Sequence, residues 1–143
     1  MEKGKITFTM IKPTAFKNNY TGDILKMIYQ QKFRIIALKM MQLTKDQAAA
    51  FYIEHKERPF YGELCEFMSS GPIIAAVLKK ENAVRDYRQL IGSTNPNEAE
   101  KGTIRSVFGL SVEQNAVHGS DSDESAMRES SFFFSDLEIF SNF

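Results

Sequence analysis

Residues 115–122 of this 143-residue chain read Asn-Ala-Val-His-Gly-Ser-Asp-Ser, a histidine followed directly by glycine and small polar residues. The apolar residues before His118 predict a short strand. Ser120 and Ser122 are residue types that begin helices, so a helix is expected from Ser122 onward. On that helix Glu129 falls on the face that can turn back toward His118. An imidazole with a carboxylate behind one nitrogen has its tautomer fixed and its other nitrogen free to attack. The pattern therefore predicts a nucleophilic histidine.

Basic side chains near breaks in regular structure form a second group of candidates: Lys12, Arg58, Arg88 and Arg105. The sequence contains neither of the common glycine-rich phosphate loops, so side chains would have to hold any phosphate. Arginine suits that task because its guanidinium binds phosphate oxygens in pairs. Any one of these arginines taken alone would be assigned to the solvated surface, and Lys12 alone is equally typical of a solvated strand end. Phosphoryl transfer, however, requires mainly positioning and positive charge, which this set offers.

The run Asn-x-x-His-Gly-Ser-Asp, together with Gly-Thr-Ile-Arg at 102–105, resembles the signature of the nucleoside diphosphate kinase family. The resemblance covers about residues 5–134. It implies ping-pong transfer of the γ-phosphate from a nucleoside triphosphate, typically ATP, to a nucleoside diphosphate. The phosphate would rest on His118 as a phosphohistidine, and base specificity would be broad.

The resemblance also implies a role for individual side chains. Lys12 and Asn115 resemble the family's ribose-binding residues, and Lys12 also its catalytic lysine. The remaining assignments are Arg88, Thr94 and Arg105 on the β- and γ-phosphates, Arg58 near the terminal phosphate, Phe60 and Val112 on the two sides of the base, and Tyr52, Ser120 and Glu129 as supports of His118.

The family's cofactor is Mg²⁺, which the nucleotide's own phosphates would mainly hold. Asp121 would contact that ion through water at most, and no set of carboxylates resembles a metal cage. The family also implies a homo-oligomer built from dimers, either a hexamer or a tetramer. The loop Gly92–Gly102 would then order against a partner subunit through Pro96. Longer family members carry a C-terminal extension that this chain lacks.

The secondary-structure pattern predicts one α+β domain over residues 1–143. We expect strands at Lys5–Ile11, Phe33–Leu43, Ile73–Leu78 and Asn115–His118. With the helices between them, this order suits a ferredoxin-like four-stranded antiparallel sheet (βαββαβ), with helices covering one face. Thr44, Asn82 and Thr103 are predicted helix caps. His55 is predicted to be an exposed helix-end residue without a chemical role, and the five phenylalanines between Ser131 and Phe143 show no regular period.

Composition argues against several classes of protein. Eighteen basic and eighteen acidic residues give zero formal charge, so no broad attraction to nucleic acid or membrane is expected. No apolar run approaches the ~20 residues of a membrane span. The single Cys65 rules out an intramolecular disulfide and fits a reducing cytoplasm. An RNA-recognition module shares the topology but needs an aromatic strand signature that is absent. A family member acting as a regulator or as a protein histidine phosphotransferase stays an open alternative.

Overall fold

The computed structural model describes residues 1–142, which contain a four-stranded antiparallel sheet in the order β2-β3-β1-β4. The strands are β1 Ile6–Ile11, β2 Arg34–Met41, β3 Ile73–Lys79 and β4 Val117–Gly119. The helices are α1 Pro13–Lys17, α2 Thr21–Gln30, α3 Lys45–Phe51, α4 Tyr61–Met68, α5 Ala83–Ile91, α6 Ile104–Phe108 and α7 Asp123–Phe133, with one-turn 3-10 helices at Ile53–His55 and Asp136–Glu138. This arrangement is the predicted ferredoxin-like α+β fold.

Helices cover both faces of the sheet, whereas the sequence pattern predicts them on one face only. Phe8 and Met10 of β1 face an apolar cluster that α3, α4 and α7 complete. Ile11 faces a second cluster, to which α2 and α5 contribute Ile28 and Tyr87. The two central strands are therefore largely buried on both sides, as a sheet between two helical layers requires.

Strand β4 is shorter than predicted and begins two residues later. Ala116 has φ 77°, in the left-handed region that a residue with a Cβ rarely adopts. Asn115 and Ala116 are consequently outside the strand, although both are buried. The kink turns the chain just before His118, which pairs with Met10 of β1.

Two of the three predicted helix caps are present. Thr44 forms the complete capping box with Gln47, and Thr103 accepts a hydrogen bond from the Ser106 amide. Asn82 does precede α5, but its side chain caps nothing, because the residue itself is left-handed with φ 54°. The prediction for Asn82 was therefore wrong.

The phenylalanine-rich end is ordered, although its sequence shows no period. Helix α7 continues to Phe133, whose ring stacks on Phe8 at a centroid distance of 5.0 Å. Phe134 is buried as well, and the Phe140 amide donates to the Ile36 carbonyl of β2 at 2.8 Å. Long-range packing rather than local periodicity orders this segment. Phe143 lies outside the described residues.

Within residues 1–142, every helix is too short or too polar to cross a membrane.

Candidate active site

His118 is joined to Glu129 as the sequence predicts. Its Nε2 lies 2.8 Å from Glu129 Oε1, so strand β4 and helix α7 meet at this contact. The rings of Phe51 and Tyr52 pack edge-on against the imidazole at centroid distances of 5.3 and 6.1 Å. The histidine is thus held by a carboxylate on one side and by two aromatic rings packed edge-on against it.

Glu129 is only 5% exposed, and its buried carboxylate is well supplied with partners. Ser120 Oγ donates to the same Oε1 at 2.8 Å, while Arg128 lies 3.6 Å from Oε2. Ser120 Oγ also accepts from the Phe8 amide at 3.1 Å, which ties the site to the central strand. Ser120 therefore supports Glu129, and Ser122 alone caps α7.

A cavity of about 750 Å³ opens in front of His118. Its lining includes most of the residues singled out in the sequence: Lys12, Tyr52, Phe60, Arg88, Thr94, Arg105, Val112, Asn115, His118 and Asp121. Segments distant in sequence converge here, because β1, α5 and the chain before β4 all end at this edge. A wider groove of about 940 Å³ shares Arg88, Gly92, Ser93 and Asp121 with the cavity, but His118 does not line it.

Two of the cavity's cations are poorly solvated: Lys12 is buried and Arg105 is half-buried. Lys12 is 7% exposed and donates to the Glu113 carbonyl at 3.3 Å. Burial, and next the charge of Arg105, lower the pKa of Lys12 to about 7. Burial also lowers the pKa of Arg105 to about 10. Both groups would gain from a polyanion, since each holds a positive charge in a poorly solvated place.

Arg105 and Asn115 also shape the cavity wall. Arg105 donates to the Gly92 carbonyl at 3.0 Å and to the Val117 carbonyl at 2.9 Å, which fastens the loop after α5 to β4. Asn115 Nδ2 donates to the Thr94 carbonyl at 3.0 Å. The loop that carries Thr94 is thereby fixed by contacts within the chain.

Three polar atoms of cavity-lining residues are buried without a hydrogen-bond partner among residues 1–142: Tyr52 Oη, Arg105 Nε and Asn115 Oδ1. Burial raises the pKa of Tyr52, so its phenol keeps the proton and can donate it in a hydrogen bond. Unpaired buried polar groups are rare and costly. Their convergence on one cavity indicates that a polar ligand completes the site.

Four residues differ in position or exposure from what their sequence predicted. Arg58 is exposed and does not line the cavity. Phe60 and Val112 do line it, but at 45% and 55% exposure they leave its outer end open. His55, for which no role was predicted, lines the cavity half-buried, with its ring 5.5 Å from Phe60 and 6.3 Å from Tyr52. Its spacing of three from Tyr52 on a helical turn was the available signal.

The sequence matches the family described as "Nucleoside diphosphate kinase" over residues 5–139. It is 56% identical over 133 residues to the nucleoside diphosphate kinase of Geobacter sp. strain M21, covering 93% of this chain and 97% of that protein. The enzyme of Persephonella marina is 55% identical over 133 residues, covering 93% of this chain and 95% of its own.

Solved structures of nucleoside diphosphate kinases share the fold of this chain. The Aquifex aeolicus nucleoside diphosphate kinase superposes with a TM-score of 0.92 at 47% identity, covering 94% of this chain and 98% of that one. The Halobacterium salinarum enzyme, solved in complex with CDP, gives 0.93 at 34% identity, covering 96% and 92%. The chain therefore belongs to the nucleoside diphosphate kinase family and is, like these relatives, a phosphotransferase.

Proposed function

We propose that His118 carries the phosphate between two nucleotides in a ping-pong reaction. The Nδ1 lone pair attacks the γ-phosphorus of a nucleoside triphosphate, and the bond to the β,γ-bridging oxygen breaks to release the diphosphate. A terminal oxygen of a second diphosphate then attacks the phosphorus of the phosphohistidine, and the bond from phosphorus to Nδ1 breaks, which releases the new triphosphate and restores His118. The supporting observation is the hydrogen bond of 2.8 Å to Glu129, because it occupies Nε2 and leaves Nδ1 for attack.

The cavity's cations would bind the polyphosphate of either nucleotide. Arg88 and Arg105, with the Thr94 hydroxyl, are the groups we assign to the β- and γ-phosphates. Lys12 and Asn115 are assigned to the ribose hydroxyls, with the Lys12 charge also directed at the phosphates. Arg58 lies outside the cavity lining, and its side chain would have to swing inward to reach a terminal phosphate.

Mg²⁺ is the cofactor we propose, carried in by the nucleotide. Within residues 1–142, no three histidine, cysteine or acidic side chains are grouped to hold a metal ion. Asp121 is the only carboxylate we assign to the ion, and it would act through water. This donor set fits an ion bound mainly by phosphate oxygens. Bound Mg²⁺ would neutralise charge on those oxygens.

Base specificity is expected to be weak. Phe60 and Val112 offer stacking and apolar contact, which every base accepts, and their exposure leaves the base edges in solvent. Catalytic efficiencies with ADP, GDP, CDP and UDP should fall within about tenfold of one another, since no fixed donor or acceptor discriminates them. The relative from Halobacterium salinarum was solved with the pyrimidine nucleotide CDP. Efficiencies spread over several orders of magnitude would contradict the assignment of the base slot.

The direct test of the proposed function uses ATP labelled in the γ-phosphate. Incubation without an acceptor should leave label on the protein that is acid-labile and alkali-stable, as a phosphohistidine is. Adding a nucleoside diphosphate should discharge it completely. Label that survives acid would place the phosphate on a hydroxyl instead.

We further propose that the enzyme is a cytoplasmic homo-oligomer, a hexamer or a tetramer. The exposed side chains of Leu38 and Met40 on the edge strand β2 support a partner surface. Pro96 was expected to contact a partner subunit, but its position does not support that role. Pro96 is buried within its own chain, and a Cβ built on Gly109 would meet its Cγ at 2.6 Å. Light scattering at micromolar concentration should give a multiple of the 16.3 kDa chain mass. A monomer would refute the proposal.

A further inference from the structure

Two buried hydroxyls lie behind the active site without lining its cavity. Thr9 Oγ1 of β1 donates to the backbone carbonyl of His118 at 2.8 Å. The same Thr9 Oγ1 lies 2.6 Å from the Tyr87 hydroxyl of α5. Thr9 is 2% exposed and Tyr87 is fully buried, so water does not compete for either bond.

The number of hydroxyl protons fixes which group donates in each of these two hydrogen bonds. Threonine has one hydroxyl proton, and it is used on the His118 carbonyl. Tyr87 must therefore donate to Thr9 Oγ1. Burial raises the pKa of Tyr87, which keeps the phenol protonated and able to donate. Two bonds arranged in sequence also polarise and strengthen each other.

The two hydrogen bonds connect two parts of the site whose relative position matters for the reaction. At one end is the backbone of His118, the residue proposed to attack phosphorus. At the other is Tyr87, whose neighbour Arg88 lines the cavity. The packing here is tight, since a Cβ built on Gly119 would lie 2.8 Å from Ile91 Cδ1 and 3.2 Å from Tyr87 Cδ2.

We propose that Thr9 and Tyr87 are positioning residues, which hold the His118 backbone at a fixed distance from the helix that carries Arg88. The inference rests on the proposed role of His118. The rate of phosphoryl transfer is sensitive to small errors in the placement of the attacking nitrogen. A hydrogen-bond relay from α5 through β1 to β4 limits such errors without touching the nucleotide.

The test compares Thr9→Val with Thr7→Val. Thr7 is a matched control because it lies on the same strand and is equally buried, while its hydroxyl has no partner in the described part of the chain. In a single turnover with labelled ATP, Thr9→Val should phosphorylate His118 about fivefold more slowly, the factor that one neutral hydrogen bond represents. Thr7→Val should match the wild type. Thr9→Ser, which keeps the hydroxyl, should restore the rate to within about twofold.

Tyr87→Phe and the double variant Thr9→Val/Tyr87→Phe separate positioning from stability. Thr9→Val leaves the buried Tyr87 hydroxyl without its hydrogen-bond acceptor, so the melting temperature of this variant should fall. The double variant removes both partners and should recover much of that loss. Its rate should nevertheless stay about fivefold low, because the His118 carbonyl still lacks the hydrogen bond from Thr9. The dissociation constant for ADP, measured by calorimetry, should stay within about twofold throughout, since neither side chain lines the cavity.

Several results would overturn the inference. Thr9→Val could phosphorylate as fast as Thr7→Val, Thr9→Ser could be as slow as Thr9→Val, or the double variant could recover rate together with stability. The labelled wild type keeps these failures separate from failure of the proposed function. Label on His118 with equal rates in the two valine variants would refute only the relay, whereas label elsewhere would refute the role of His118 itself.

Discussion

Replacing His118 with alanine should abolish phosphotransfer, lowering turnover by more than about 10³-fold, while ADP still binds within a few-fold of the wild-type affinity. The physical reason is a separation of tasks. The imidazole is the proposed attacking group, whereas the phosphate-binding cations and the base slot belong to other elements. Turnover should be measured with ATP and GDP, and binding by calorimetry.

His55→Ala is the matched control for that experiment. His55 is the other histidine of the chain and also lines the cavity, but Glu129 bonds to His118. His55→Ala should therefore still take up acid-labile label, and His118→Ala should not. Substantial turnover in His118→Ala, or loss of label in His55→Ala alone, would mean that the nucleophile is wrongly assigned.

Changing Glu129 to glutamine should slow phosphorylation of His118 by roughly 10- to 100-fold, the range for a hydrogen bond to a charged group. In the proposed mechanism, the carboxylate would stabilise the positive charge that develops on the imidazole as Nδ1 attacks. An amide is neutral and cannot do so. It would also leave Arg128 without the carboxylate oxygen that lies 3.6 Å away. The measurement is again a single turnover with labelled ATP.

Glu124→Gln provides the control on the same helix. Glu124 pairs with Lys3 on the surface, 2.9 Å away, and does not line the cavity, so its loss should change neither rate nor melting temperature appreciably. Glu129→Gln should remain folded, because the glutamine oxygen can still accept from Ser120. An unchanged rate in Glu129→Gln would show that the charge of Glu129 does not contribute to the reaction and that its role is structural. A collapse of melting temperature would require repeating the comparison with Glu129→Asp.

Local sequence determined much of the secondary structure of this protein and the identity of its candidate site residues. Strand β1 follows from simple alternation, and α3 from the Thr44 capping box, because these signals act between neighbouring residues. The spacing of Glu129 on its helix was enough to direct it toward His118. The types and order of the candidate site residues could likewise be read from the chain, since His-Gly-Ser-Asp and the scattered cations are sequence facts.

Only the tertiary structure decided how those residues are buried and paired. Lys12 and Arg105 look like ordinary surface cations in the sequence, and their lowered pKa values arise from burial by segments distant along the chain. The hydrogen bond between Thr9 and Tyr87 joins residues 78 positions apart, and no periodicity in the sequence predicts it. The helices on the second face, the inward position of His55 and the packed phenylalanines of the tail escaped prediction for the same reason. Each depends on which surfaces meet, and that is set by the whole fold rather than by neighbours in sequence.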